Sequence, residues 1–216
     1  MKKGKLLSLL LAAVVGAGSL AMTAQAAPAE LPAQTAKTAA FVKASDWVLK
    51  DDWAIFALGR NQEEGCEKLY EDYYQGVLAL LADPAKLIPS DYIRLSLSLT
   101  AIGIDPRNIE GNDLLEKIDQ ADREMYFKMS TSSLAYALAL MERYPDSFSG
   151  TLKEDTIQKI LGAQQADGSF DYTVGGGYPD PDSTAQAMQG LMLLGDTYAS
   201  EIQAAVDWLK AQMNED

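Results

Sequence analysis

Leu134-Ala135-Tyr136-Ala137-Leu138-Ala139-Leu140-Met141 is apolar without a break, and one short polar stretch later Leu152, Ile157, Ile160 and Leu161 recur among Lys153, Glu154, Asp155 and Lys159. The first run is rich in Ala, Leu and Met, which favour helix, and poor in the β-branched residues that favour strand. It is far shorter than the ~20 residues that span a bilayer, so protein must bury it on most sides. The second segment carries one apolar face at helical spacing. It is the natural cover for the first, and the pair reads as a hairpin of one buried and one half-buried helix.

The same alternation extends in both directions. Ile93 to Ile104 has only Arg94, Ser96, Ser98 and Thr100 as polar members, Ala185 to Leu194 is similar, and Trp53 to Leu58 is a short version. Between them lie amphipathic segments: 66–82 with Leu69, Tyr73, Val77, Leu80 and Leu81, a shorter 112–121 with Leu114, Leu115 and Ile118, and 199–213 with Ile202, Ala205, Val206 and Leu209. The spacing predicts helices over about 36–49, 52–60, 66–82, 91–103, 112–121, 130–143, 152–165, 182–195 and 199–213, with no strand. Capping boxes are expected at Thr151-Leu152-Lys153-Glu154, Ser183-Thr184-Ala185-Gln186 and Ser200-Glu201-Ile202-Gln203. The fold class is all-α, an inner layer of apolar helices wrapped by an outer layer of amphipathic ones.

The N-terminus is of a different kind. Lys2, Lys3 and Lys5 precede an apolar run from Leu6 to Val15, and Ala24-Gln25-Ala26 supplies small residues where a signal peptidase reads. Residues 1–26 are expected to be a secretory signal cut before Ala27, leaving a secreted or cell-surface protein with no membrane span. Residues 27–44, Ala-rich with Pro28 and Pro32, read as a flexible linker and the start of the first helix. Without 1–26, which hold three Lys and no acid, 15 basic and 31 acidic residues remain, a net charge of −16. That charge repels nucleic acid and anionic lipid, and neither is an expected partner. The single Cys, Cys66, excludes an intrachain disulfide and reads as a small core residue. The absence of His removes Ser-His-Asp and Cys-His pairs and the commonest zinc ligand.

Self-similarity adds to the periodicity. Asp52-Trp53-Ala54, Asp91-Tyr92-Ile93 and Asp182-Ser183-Thr184 each open an apolar helix, and Ile160-Leu161-Gly162-Ala163-Gln164 is echoed by Trp208-Leu209-Lys210-Ala211-Gln212. Gln164-Gln165-Ala166-Asp167-Gly168-Ser169-Phe170 resembles the Gln-to-aromatic repeat motif of squalene–hopene cyclases, with Phe170 where Trp is commoner. Asp180-Pro181-Asp182-Ser183-Thr184-Ala185 looks like that superfamily's entry into the next inner helix. Ala101-Ile102-Gly103-Ile104-Asp105-Pro106-Arg107-Asn108, followed by Gly111 and Asp113-Leu114-Leu115, resembles a turn of exported bacterial proteins carrying prenyltransferase and squalene-oxidase repeats. Over about 45–216 the resemblance implies an α/α toroid, a curved double layer of helical hairpins forming part or most of a ring. A Gly-Gly-aromatic continuation would be expected where Asn214-Glu215-Asp216 stand, so the resemblance also implies C-terminal truncation. The Gln motif itself has a structural reading: Gln164 bonds orphan carbonyls at a helix end, Gly168 permits the tight exit and Phe170 packs back.

The resemblance also nominates a site. In class II terpene cyclases the middle Asp of Asp-x-Asp-Asp protonates an alkene, which carries over to Asp182 with Asp180 as its companion. Such a donor is kept protonated by burial and by neighbouring negative charge. Ser183 replaces the third Asp, and the alternative reading of Asp182 and Ser183 is helix capping. Cavity-facing candidates are Trp53, Tyr92 and Tyr136, with Arg94 either greeting an anionic ligand or pairing with Asp91 or Asp52. Asp167, Asp171, Asp180 and Asp182 could offer oxygens to calcium, but their spacing is not that of an EF-hand and solvated turn residues explain them as well. No metal and no cofactor is expected. Three functions follow. The first is a non-catalytic module binding a hydrophobic or other small molecule in a central cavity, or another cell-surface protein. The second is an atypical class II cyclase, an isomerase with Asp182 as acid, and the third is an architectural fragment of a longer surface protein. The incomplete constellation favours the first.

Overall fold

The computed structural model describes residues 31–213; the expected signal sequence, 1–26, lies outside the described residues. Their regular structure is helical. The α-helices are α1 (Leu31–Lys43), α2 (Asp52–Arg60), α3 (Glu67–Leu81), α4 (Pro89–Ala101), α5 (Leu114–Asp119), α6 (Arg123–Phe127), α7 (Thr131–Arg143), α8 (Leu152–Leu161), α9 (Pro181–Met192) and α10 (Ala199–Ala211). Extended pairing among the described residues is limited to the isolated bridges Ile109 with Asn112, Gln164 with Phe170 and Asp171 with Pro179. None of the described helices is long and apolar enough to cross a membrane.

Two corrections concern element boundaries. The segment read as a flexible lead-in forms α1, because an Ala-rich stretch has the highest helix propensity and Pro32 sits in the first turn, where its missing N–H is harmless. The helix expected over 36–49 therefore ends at Lys43, and a separate 3₁₀ turn follows at Val48–Lys50. The five-residue α6, whose Tyr126 is wholly buried, is too short to show a period in sequence.

The chain forms two compact units. The first comprises the described residues up to Leu87 together with Arg94–Leu114. Its core holds Val48, Ile55, Leu58, Tyr73, Val77, Leu95 and Leu99. The 3₁₀ turn packs against both α2 and α3. Gly59 lets the end of α2 approach Ala101 so closely that a Cβ there would lie 2.8 Å from the Ala101 carbonyl. Cys66 is buried, as a small core residue should be.

The second unit, Ile88–Ile93 and the described residues from Leu115 on, contains the segments whose sequence announces the fold. Helix α7 packs on α8, α9 packs on α10, and the two apolar helices α7 and α9 pack on each other. In α7 Thr131, Leu134, Ala135, Ala137, Leu138, Leu140 and Met141 are all buried, covering most of its circumference. In α8 burial is confined to Leu152, Thr156, Ile157 and Ile160, with Glu154, Asp155 and Gln158 exposed. This is the hairpin of one buried and one half-buried helix that the sequence predicts. The α7–α9 contact is tight because Gly190 faces Ala135, and a Cβ on Gly190 would come within 3.1 Å of the Ala135 Cβ.

Candidate functional site

The capping expectations are corrected first, because they decide which acids are free for other work. Helix α9 begins one residue earlier than expected, at Pro181, and its cap is Asp180, whose Oδ1 accepts the Ser183 N–H at 2.9 Å. Neither Asp182 nor Ser183 is a cap; both lie within the helix. Thr151 makes no side-chain cap and instead donates to Asp155 Oδ2 at 2.6 Å, while α10 starts after Tyr198 with Ser200 bonded to Glu201. In the first unit α2 spans Asp52–Arg60, as the spacing predicts. Asp51, not Asp52, caps α2, accepting from the N–H groups of Trp53 and Ala54 at 2.9 and 3.1 Å.

Capping by Asp51 releases Asp52. Its Oδ1 accepts from the Tyr73 hydroxyl at 2.8 Å, its Oδ2 from Arg94 Nε at 3.2 Å, and its backbone carbonyl from Ser98 Oγ at 2.7 Å. Burial, then the negative charge of Asp52, pushes the Tyr73 hydroxyl well above its ordinary value. Asp52, one of the two acids offered to Arg94, is within bonding distance of it. The guanidinium is thereby committed at least in part to holding α4 to α2. Trp53, also in this unit, packs edge-on against Phe56 with ring centroids 6.0 Å apart.

The other candidates fall in the second unit. Tyr92 is buried and Tyr136 half-buried. Both hydroxyls are raised, by burial first and then by Asp91 and Asp182 respectively. Asp182 is exposed on the first turn of α9, and Asp180 is half-buried with Oδ1 in the cap. The structure thus gathers Asp180, Asp182 and Tyr136 around the start of α9.

The Gln motif connects α8 to α9. Gln164 Nε2 donates to the Gly168 carbonyl at 3.2 Å and to the Glu201 carbonyl, in the first turn of α10, at 2.9 Å. The reading that it bonds orphan carbonyls of its own helix is therefore amended. The side chain ties one hairpin to the next outer helix. Phe170 is wholly buried, and its N–H donates to Thr184 Oγ1 at 2.9 Å. Replacing Gln164 with Ala removes two such bonds, and we expect urea denaturation to show a loss of about 1–2 kcal/mol. No change in the urea midpoint would mean the tie is decorative.

The structure corrects the reading of Asp171 as a solvated turn residue: it is wholly buried. Its Oδ2 accepts from Gln165 Nε2 at 2.7 Å and from the Gly177 N–H at 3.0 Å. Its backbone carbonyl accepts from Thr131 Oγ1 at 2.7 Å, fixing the loop to the start of α7. The ribbon continues with Tyr172 N–H donating to the Tyr178 carbonyl at 3.0 Å, and closes through Gly175, Gly176 and Gly177. Oδ1 of Asp171 accepts no hydrogen bond, and neither does Oδ2 of Asp180. Beside the ribbon lies a cleft of about 340 Å³ lined by Gln165, Asp167, Ser169, Asp171, Gly177 and Pro179. At its rim the Ser169 hydroxyl and N–H donate to Asp167 Oδ1 at 2.7 and 3.1 Å, holding that carboxyl below its ordinary range. Among the described residues no three acids or thiols converge as a metal would need.

These features define an all-α protein of packed helical hairpins with an acidic cleft at one inter-helix ribbon. Comparison with protein-family models, with curated proteins and with solved structures finds no match to this chain.

Proposed function

We propose that the chain is an exported, non-catalytic binding module of the prenyltransferase and squalene-oxidase repeat type. In this reading its hairpins form part or most of an α/α toroid that holds a small molecule or a cell-surface protein. Support for the architecture comes from the second unit, where apolar α7 and α9 pack together and each is covered by the amphipathic helix that follows it.

The observation that carries the non-catalytic reading is the position of Asp182. Protonating an alkene calls for a carboxyl kept from water, since burial is what favours its neutral form. Asp182 is exposed, and its companion Asp180 spends one oxygen on the cap of α9. The test uses protein recovered from the medium of an expressing bacterium, whose first residue is expected to be Ala27. Incubated with squalene or geranylgeranyl diphosphate, it should yield no cyclic product by gas chromatography and mass spectrometry. Cyclic product that disappears in Asp182→Asn would overturn the reading in favour of a class II cyclase.

A further inference from the structure

Asp171 is the one wholly buried carboxylate among the described residues, and it is only half satisfied. Two donors converge on Oδ2, none reaches Oδ1, and no lysine or arginine pairs with it. A carboxylate taken out of water without a countercharge is among the most costly arrangements a fold can hold. A positive group from outside the fold, placed at Oδ1, would relieve that cost. Asp171 also lines the cleft, whose other acidic residue is Asp167.

We propose that this cleft binds a protonated primary alkylamine, with the ammonium group at Asp171 Oδ1 and Asp167 as the outer anion. The pairing is charge-assisted and uses the acceptor capacity that Gln165 and Gly177 leave open. A compact ammonium with three donors fits a recess lined by two carboxylates and a carboxamide. A divalent metal does not, since too few acids converge there. Pro179 and Ala166 supply apolar wall for an alkyl chain. Entry requires the exposed Gln165 side chain to turn aside, because it covers the buried carboxylate. The strong negative charge of the chain draws cations toward this surface. The amine is either free, as in a diamine, or the side chain of a lysine in a partner protein.

This site adds a ligand class to the binding-module reading and is tested by a separate measurement. Isoprenoid cyclisation would overturn that reading and leave this site standing, whereas absent amine binding would remove this site alone. The full chain, labelled with nitrogen-15, is titrated with cadaverine and with Nα-acetyl-lysine amide, using pentanol and calcium chloride as controls. We expect saturable shifts of the Gly175, Gly176 and Gly177 amides and of the Gln165 carboxamide with at least one amine and with neither control. Saturation by cadaverine alone indicates a free amine, and saturation by the lysine amide indicates a protein side chain. Asp171→Asn should weaken binding about tenfold or more, and Asp167→Asn by a few-fold. No saturable shift with either amine, an equal response to pentanol or calcium, or undiminished affinity in Asp171→Asn would overturn the proposal. Should Asp171→Asn fail to fold, Asp167→Asn decides, and unchanged affinity there overturns it.

Discussion

Gly168→Ala is expected to destabilise the second unit by at least about 3 kcal/mol, the largest loss from any single methyl group in this chain. Two effects combine. The backbone at Gly168 has φ of +93°, where a side chain is strained by about 1–2 kcal/mol. A Cβ there would also lie 2.4 Å from the Ala204 carbonyl oxygen and 2.6 Å from its carbon, both backbone atoms of α10. Backbone cannot rotate out of the way, so the loop and α10 must part. Parting them also breaks the Gln164 bond to Glu201. Gly175→Ala separates the two effects, because its φ of +73° is similar but nothing lies within 4 Å of the added carbon. It should lose only the backbone term, about 1 kcal/mol. Hydrogen exchange read over 152–165 and 199–211 measures both variants locally. Equal loss in the two would show that the close approach to Ala204 is not what this glycine serves.

The residues around this glycine illustrate what a sequence makes legible. Leu134 to Met141 announces a buried helix because its apolar character is continuous, and the hairpin with α8 follows from the one-sided stripe of Leu152, Ile157 and Ile160. Those are local patterns with a period. That Gly168 permits a turn is equally local. Its approach to Ala204 is not, since the two residues meet only after α9 has folded between them.

Caps and acids fail for a related reason. Asp180-Pro181 carries the signal for a cap followed by proline at the first helical position, yet Ser183 offers a competing box three residues after Asp180. Asp180 prevails, accepting the Ser183 N–H. Asp51 caps α2 and leaves Asp52 to Tyr73 and Arg94. Asp171 looks like any polar residue of a glycine-rich turn. Its burial depends on Thr131, forty residues away, and on Gln165 folding back over it. No spacing rule connects these residues. The one available hint is an acid set between two aromatic residues, Phe170 and Tyr172, where a solvated turn needs neither.

Raising the pH above about 10 is expected to remove several kcal/mol of stability, chiefly through tyrosine. Five of the ten tyrosines, Tyr70, Tyr73, Tyr92, Tyr126 and Tyr136, have hydroxyls raised above their ordinary value, each with burial as the first cause. Tyr126 is pushed up to about 12. A phenol that accepted from Thr156 would be lowered by that bond, but the geometry makes it the donor. The single proton of Thr156 Oγ1 goes to the Leu152 carbonyl at 2.7 Å, so across the 3.1 Å contact the Tyr126 hydroxyl must be the donor. An ionised Tyr126 has no proton to give. When the folded value exceeds the unfolded one, the folded chain binds more protons. Stability is then complete below the unfolded value near 10 and falls as pH rises toward the folded one. For Tyr126 alone that gap is worth about 3 kcal/mol. Lys43, raised by its hydrogen bond to Glu63, acts in the same direction in the same range. The urea midpoint should therefore drop steeply between about pH 10 and 12. Tyr126→Phe should lose about 1 kcal/mol at neutral pH, from the deleted hydrogen bond, and show a shallower alkaline decline. A midpoint that stays level while tyrosinate absorbance rises would mean that these phenols ionise within the intact fold. Neither burial nor the commitment of the Thr156 proton would then govern Tyr126.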